Sequence, residues 1–427
     1  MDINILDTGA IADGVTLNTI SIQKAIDMCA ESGGGRVEVP AGVFVTGTLW
    51  LKSHVELHLS HGAVLKGSTN MDDYNDEDAY PQNYGSVSEQ WVGKHMIIAL
   101  DQTDVSISGN GTFDGSADAF FETKKETEHS YIWSYGLAMA KNKETLRPGQ
   151  MVVFVQCDRI RVLDVTFRNS PCWDCFFHGC QHVLVRGIHV MNEKYFGNTD
   201  GIDIDTCRYV TVSDCIIDTG DVAIAIRSDS TGLLNGMDCC EYVTITNCVV
   251  GSCSSVFRFG VGVGKIRNIT LSNINIFRGG RCIHIMSAYL TNGCSKMENI
   301  HISNVIADNV GFPITIEESN NAWLRNITID NFRARGMCSS GIFAADKGSV
   351  SGITLRNVDI ELIQPPFPVK ENEAEERGDV ALIVQGAKNV RLENVNITVP
   401  QENSHKWRKT YEISDSENVI ISDCNFA

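Results

Sequence analysis

The sequence has no apolar run that approaches 18 residues, so nothing in it predicts a membrane-spanning helix. Basic residues are scarce, because 35 Lys and Arg stand against 53 Asp and Glu, for a formal charge of −18. A nucleic-acid-binding protein needs a basic surface to neutralise phosphates, and this balance argues against one. The chain also lacks a Pro-, Gly- or Ser-rich linker, which favours one continuous domain over residues 1–427.

Signatures of metal and cofactor binding are absent as well. No Cys or His spacing resembles a zinc site, and no cofactor fingerprint occurs, so we expect neither a metal nor a cofactor. The fifteen cysteines are predicted to be mostly reduced and to fill small core positions. With no secretory signal at the start, these features favour a cytoplasmic protein. A secreted protein with some disulfides and a trimmed leader is the alternative.

An apolar-x-apolar-x-Asn phrase recurs through the second half of the chain. Its copies end at Asn247, Asn273, Asn304, Asn331, Asn357 and Asn394, with related copies at Asp214 and Asp423. The spacing, between about 26 and 37 residues, is typical of solenoid repeats. Each copy predicts a short strand closed by a residue that tolerates left-handed backbone. Stacked coils would align these side chains in a column, each satisfying backbone groups of the next coil.

The repeats predict an all-β fold, a single-stranded right-handed parallel β-helix, because each coil can bury its apolar face only on its neighbours. An amphipathic segment at about residues 19–30 predicts a helix that begins with Thr19 as its cap. Such a helix would cover the open end of the solenoid, where unpaired strand edges invite aggregation. Residues 1–50 therefore form the N-terminal cap and the first strands in this prediction.

A second series of strands alternates with the repeat and carries charged residues. Apolar pairs such as Ile202/Ile204 are predicted to point into the core, so the residues between them point outward. One outward column would hold Asp203, Ala225, Arg258, His284 and Thr315, and the next Asp205, Arg227, Gly260, Met286 and Glu317. Because a packed core does not accept unpaired carboxylates, we expect these charges to face a cleft or one another.

The string NTDGIDID at residues 198–205, followed by the Gly-Asp pair at 220–221, resembles the motifs of glycoside hydrolase family 28, the polygalacturonases. The resemblance covers nearly the whole chain and includes FRNSPCWDC at residues 167–175. It implies a right-handed parallel β-helix that hydrolyses a glycosidic bond with inversion. It also implies that Asp200 activates water and that Asp221 protonates the leaving oxygen.

Several polar positions of the family pattern are changed. Val222 stands where the second acid of the family's G-D-D motif belongs, and Ser255 falls near its G-H-G histidine. His284-Ile285-Met286 replaces the R-I-K group, which grips the substrate carboxylate in the family. The loss of that bidentate grip favours a sugar without a carboxylate at the cleaved position. A third acid would then come from another position, with Asp203, Asp205 and Glu317 as candidates.

These observations together predict a glycoside hydrolase, acting on an oligosaccharide and cutting a neutral sugar such as a rhamnoside, galactoside or xyloside from the chain end. The catalytic candidates are Asp200, Asp221 and Asp203, and the first two are expected to face one groove. The substrate-binding candidates are Asn198, Asp205, Trp133, Arg227, Arg258, His284, Met286 and Glu317.

Three alternatives stay open at this stage. The changed motifs also fit a catalytically inactive carbohydrate-binding protein, or a polygalacturonase-type galacturonosidase with a rearranged site. A β-helix lyase or epimerase would need basic residues or calcium beside an acidic sugar, and the outward columns hold few basic residues. The negative charge of the chain mildly disfavours a polyanionic substrate.

Overall fold

A computed structural model describes residues 1–78, 91–122, 143, 146–288, 293–319, 321–364, 378–399 and 407–426. Contacts within the chain separate it into two compact units. The first unit takes the described residues of 1–220 and Thr231–Met237; the second takes Asp221–Ser230 and the described residues of 238–427. That the whole chain forms one solenoid domain stays a prediction.

The first unit is a stack of short parallel strands. Successive coils lie in register, with Val152 beside Cys175 and Cys175 beside Ile202. Its strands are β1 Asp2–Asn4, β2 Asp13–Leu17, β3 Gly35–Val39, β4 Gly42–Thr46, β5 Leu49–Trp50, β6 Val55–Leu59, β7 Ala63–Gly67, β8 Trp91–Val92, β9 Ile97–Leu100, β10 Thr103–Gly109, β11 Thr112–Asp114, β12 Arg147–Pro148, β13 Val152–Val155, β14 Asp158–Leu163, β15 Thr166–Arg168, β16 Cys175–His178, β17 Gln181–Arg186, β18 His189–Met191, β19 Ile202–Asp205, β20 Arg208–Ser213 and β21 Ile216–Thr219. Short 3-10 helices lie at Ile5–Thr8, Met71–Asp73 and Ala117–Ala119.

The α-helix of this unit, α1, spans Thr19–Glu31. It buries the apolar face that its helical spacing predicts, formed by Ile22, Ala25, Ile26 and Cys29. The N-cap is Asn18, so the prediction that Thr19 caps the helix is wrong. The Thr19 hydroxyl instead accepts a hydrogen bond from the amide of Gly47. Among the described residues, no helix is both long enough and apolar enough to cross a membrane.

The second unit has the same construction with longer strands. The outward positions Ala225, Arg258, His284 and Thr315 are neighbours in register, as the period of two predicts. Its strands are β22 Ile224–Ser228, β23 Cys239–Ser252, β24 Ser255–Gly262, β25 Lys265–Met286, β26 Lys296–Glu318, β27 Leu324–Gly336, β28 Ser340–Ala344, β29 Val350–Leu362, β30 Val380–Gln385, β31 Lys388–Thr398, β32 Lys409–Ser414, β33 Glu417–Ser422 and β34 Asn425–Phe426.

The core of each unit is built from the apolar positions of these strands. The pairs that the sequence predicts to point inward are all at most 1% exposed, namely Ile202, Ile204, Ile224, Ile226, Phe257, Phe259, Ile283, Ile285, Ile314 and Ile316. All fifteen cysteines lie among the described residues as free thiols, and all but Cys294 and Cys424 are buried. Packing of small apolar side chains thus fills the coils.

The recurring asparagines form a ladder on the second unit. All eight repeat-closing residues have positive φ, from 50° at Asn357 to 59° at Asp214. The side chains of Asn273, Asn304 and Asn331 bond to each other, since Nδ2 of Asn304 donates to Oδ1 of Asn273 at 3.0 Å, and Nδ2 of Asn331 donates to Oδ1 of Asn304 at 2.7 Å. A second ladder, which the sequence analysis missed, joins Asn268, Asn299 and Asn326.

Replacing Asn304 by alanine is expected to lower the free energy of unfolding by about 2 kcal/mol. Alanine is strained in the left-handed backbone, and two side-chain hydrogen bonds are lost. Urea denaturation followed by circular dichroism measures the change. Asn304→Gly is the matched control, because glycine removes the same hydrogen bonds but relieves the backbone strain. If the alanine variant were as stable as the glycine variant, the left-handed backbone at position 304 would not contribute to the loss of stability.

Candidate active site

The segment around Asp200 is fixed by backbone contacts inside the first unit. Asn198 adopts a left-handed φ of 56°, which turns the chain towards the buried Thr199. The Thr199 hydroxyl donates to the carbonyl of Phe196 at 2.9 Å and accepts from the amide of Gly220 at 3.1 Å. A Cβ on Gly220 would overlap the Phe196 carbonyl, so this position requires glycine. Asp200 itself is 6% exposed.

Arg147 is a buried cation that the sequence analysis did not single out. It is 1% exposed, and its guanidinium lies 5.1 Å from the centre of the Phe121 ring. It donates to the carbonyl of Pro171 and, at 2.8 Å, to Oδ1 of Asn198. Arg147 therefore ties the turn at Pro171 to the turn that leads into Asp200. This contact gives Asn198 a positioning role, and its contact with a substrate stays a prediction.

Asp203 and Asp205 were expected to face a cleft or other charged groups, and the structure encloses both. Both are 0% exposed. Oδ1 of Asp205 accepts from the hydroxyl of Thr206 at 2.9 Å and lies 3.9 Å from Nδ1 of the buried His178. The enclosure of both carboxylates removes the support for direct contact with a substrate, including a catalytic role for Asp203. They belong to a cluster of buried polar side chains at outward positions of the strands.

A third buried acid, Asp174, lies close to Asp203. Burial raises the pKa of Asp174 well above its ordinary range, and the nearby charge of Asp203 raises it further. The hydrogen bond that Asn192 donates to its Oδ2, 2.5 Å long, lowers the pKa but does not offset burial. The raised pKa favours the protonated form of Asp174, and that form reduces the repulsion between Asp174 and Asp203.

Asp221 opens the second unit and is partly exposed. Its carbonyl accepts from the hydroxyl of Ser252 at 2.6 Å, and that hydroxyl in turn accepts from the amide of Ser254 at 2.8 Å. The next residue, Val222, is 0% exposed. The position of the family's second acid is thus part of the apolar interior, while Asp221 reaches solvent.

Ser255, His284 and Glu317 form a hydrogen-bonded chain across β24, β25 and β26. The Ser255 hydroxyl lies 3.1 Å from Nδ1 of His284, and Nε2 of His284 lies 3.1 Å from Oε1 of Glu317. Ser255 is 3% exposed and His284 is 5% exposed, while 38% of the Glu317 side chain is exposed. The sequence analysis named the last two as separate ligands and missed their link to Ser255.

Burial is the main reason that the pKa of His284 falls to about 4, and the charges of Arg281 and Arg258 lower it further. The hydrogen bond to Glu317 acts in the opposite direction and is outweighed. Burial alone would raise the pKa of Glu317, but the hydrogen bond from His284 and the charge of Arg281 bring it below its usual value. Near neutral pH the imidazole is therefore neutral and Glu317 is ionised.

Stability is expected to fall as the pH is lowered from 6.5 towards 4. The unfolded imidazole takes up a proton in this range and the folded one does not, so the unfolded state binds more protons and gains stability. The lowered pKa of Glu317 acts in the same direction. Over this pH range, wild type should lose up to about 3 kcal/mol more of its free energy of unfolding than His284→Gln does. Urea denaturation of both proteins at several pH values measures the difference. Parallel profiles would contradict the buried neutral imidazole.

The other sequence-predicted ligands are spread over the second unit. Arg258 is partly exposed and lies beside His284 in register, and Met286 is partly exposed beside Glu317. Arg227 is also partly exposed, and Trp133 lies outside the described residues. Arg281, which the sequence analysis missed, lies 4.5 Å from the centre of the Phe312 ring. Within the described ranges, no group of three or more His, Cys, Asp or Glu side chains is placed to hold a metal ion.

Known proteins are similar to this chain in sequence. A probable polygalacturonase of Vitis vinifera is 31% identical over 242 residues, covering 55% of this chain and 46% of the relative. An exo-poly-alpha-D-galacturonosidase of Dickeya chrysanthemi is 33% identical over 256 residues, covering 52% of this chain and 41% of the relative. The chain thus spans less than half the length of either relative.

A solved family 28 exopolygalacturonase of Yersinia enterocolitica matches 98% of this chain and 78% of its own, with a TM-score of 0.69 and 20% identity. This likeness establishes the fold predicted from the sequence, a right-handed parallel β-helix. The profile of the family described as "Glycosyl hydrolases family 28" matches residues 29–361. With most of its length inside that match, the chain belongs to glycosyl hydrolase family 28.

Proposed function

We propose that this protein is an inverting glycoside hydrolase that cleaves galacturonide linkages in short oligosaccharides. The observation that carries the proposal is the retention of Asp200 and Asp221 in a family 28 chain. Inverting hydrolysis requires one carboxylate to activate water and one carboxylic acid to protonate the leaving oxygen. By resemblance, Asp200 takes the first role and Asp221 the second. That these two acids serve one reaction stays a prediction.

The sugar at the cleaved position is proposed to carry a carboxylate. Both relatives named above are described as acting on polygalacturonate or galacturonosides. Although the R-I-K group is absent, Arg258 and Arg281 are close enough to His284 for their charges to lower its pKa. Guanidinium groups bind carboxylates in a bidentate geometry. Two arginines around His284 therefore offer a different grip on a uronate, as in the rearranged galacturonosidase considered from the sequence.

A neutral sugar is the second candidate. The neutral His284 and the partly exposed Met286 favour it, since neither brings a positive charge to a substrate carboxylate and Met286 offers an apolar wall to a deoxy or methyl face. The names of the relatives do not support this specificity. For the place of action we propose a reducing compartment, supported by fifteen free cysteines.

The test compares oligogalacturonides with aryl rhamnosides, galactosides and xylosides as substrates. NMR of the first-formed product should show a galacturonide released with inverted anomeric configuration. Arg258→Gln should then raise KM for the galacturonide at least 10-fold, with little change for neutral substrates. Turnover of a neutral glycoside alone would overturn the uronate specificity. Binding without turnover on either panel would favour the inactive carbohydrate-binding protein.

A further inference from the structure

The hydrogen-bonded chain of Ser255, His284 and Glu317 has a fixed polarity. An ionised carboxylate only accepts hydrogen bonds, so Nε2 of His284 must carry the proton that points to Oε1 of Glu317. The neutral imidazole then has an acceptor at Nδ1, and the Ser255 hydroxyl donates to it. Each member therefore orients the next, and the last group in the series is the carboxylate.

The exposure of its three members limits the chemistry that this hydrogen-bonded chain can perform. A nucleophilic serine has to meet its substrate, yet Ser255 is 3% exposed and is the most deeply buried member. Glu317 is the most accessible one, with 38% of its side chain exposed. Its Oε1 is engaged by His284, and no hydrogen bond to Oε2 occurs within the described part of the chain. Ser255 and His284 thus hold a carboxylate whose second oxygen is open to a ligand.

The neighbouring charges restrict which ligand fits this oxygen. Arg281 lies close enough to lower the pKa of Glu317, and Arg258 lies beside His284. A cationic ligand would be repelled by these two guanidinium groups, and an anionic group would be repelled by Glu317 itself. A neutral donor such as a sugar hydroxyl meets neither penalty, and a charged acceptor strengthens its hydrogen bond.

We propose that Glu317 is a specificity-determining residue that accepts a hydrogen bond from one ring hydroxyl of the bound sugar, with Ser255 and His284 as its positioning residues. This inference rests on the proposed function, because it requires that a sugar binds at this site. It does not depend on which sugar that is. Arg258 and Arg281 would bind the carboxylate of a uronide, and Glu317 would bind a hydroxyl of the same ring.

Glu317→Gln tests this assignment, because it preserves shape while replacing the charged acceptor with a neutral amide. We expect KM to rise roughly 10- to 100-fold with kcat within about threefold, as the loss of a hydrogen bond to a charged group predicts. Ser255→Ala should raise KM in the same direction by a smaller factor. Glu298→Gln, the same change at a partly exposed position of β26, is the matched control and should leave KM unchanged.

Substrates that each lack one ring hydroxyl identify the contact. The KM ratio between variant and wild type should return to about one for a single deoxy analogue and stay high for the others. Equal KM for wild type and Glu317→Gln on the best substrate, whichever sugar that is, overturns the inference. A large Glu317 effect on a neutral glycoside alone would refute the galacturonide proposal and uphold this one. If calorimetry shows no sugar binding to wild type, both proposals fall.

Discussion

Asp221→Asn is expected to lower kcat on the preferred oligosaccharide by roughly 10²- to 10⁴-fold, with a small change in KM. Asparagine has nearly the shape of aspartate but cannot give a proton to the leaving oxygen. Loss of a group that acts in the transition state lowers kcat and kcat/KM together, whereas loss of ground-state binding raises KM. Initial rates of reducing-sugar release measure both constants.

The leaving group gives an internal control for the role of Asp221. An aryl glycoside with an acidic phenol departs with little protonation, so the same variant should lose far less activity on it. Asp229→Asn, the same chemical change outside the Gly-Asp pair at 220–221, should keep wild-type kcat on both substrates. Full turnover of the oligosaccharide by Asp221→Asn would remove the general-acid assignment.

The fold was predictable because its signals are local. Each strand-closing residue, such as Asn273 or Asn331, tolerates a left-handed φ through its own short polar side chain, so the repeat is visible without knowledge of the partners. The second ladder also has a local signal, an Asn-Ile pair at Asn268, Asn299 and Asn326, but it precedes the alternating apolar residues of each repeat, whereas the first ladder follows them. An expectation limited to the closing residue of the repeat therefore missed it.

The candidate site was predictable only in part, since strand alternation gives the direction of a side chain but not what covers it. Arg258 and His284 occupy the outward positions assigned to them, and they are neighbours in register. Asp203 occupies a position of the same kind and is nevertheless fully enclosed. Alternation identifies which side chains avoid the apolar interior, while the extent of burial depends on segments distant in sequence.

Arg147 shows the limit most clearly. Its contact with Asn198 joins residues 51 positions apart, and no spacing rule connects them. A charged side chain is also expected at the surface unless it is paired, so sequence alone gave no reason to place it at 1% exposure. By contrast, Ser255 and His284 lie in adjacent, in-register strands, and their hydrogen bond follows once that register is known.

Restoring the family's second acid with Val222→Asp is expected to lower the free energy of unfolding by at least about 3 kcal/mol rather than to raise activity. Val222 is 0% exposed, so the new carboxyl would be desolvated in an apolar environment. Burial would raise its pKa in the folded state, which then binds more protons than the unfolded state above pH 4. The loss of stability should therefore be larger at pH 8 than at pH 4.

Val222→Asn separates this charge effect from the burial of a polar group, because its amide has the same size and does not titrate. Its free energy of unfolding should be lower than that of wild type by the same amount at pH 4 and at pH 8. Urea denaturation at both pH values measures this difference. A Val222→Asp variant within 1 kcal/mol of wild type at pH 8 would contradict the prediction, since it would mean that the carboxylate reaches solvent. The expected result implies that the side chain at position 222 now contributes to the apolar core instead of supplying an acid. Of positions 221 and 222, only Asp221 can then take part in acid catalysis.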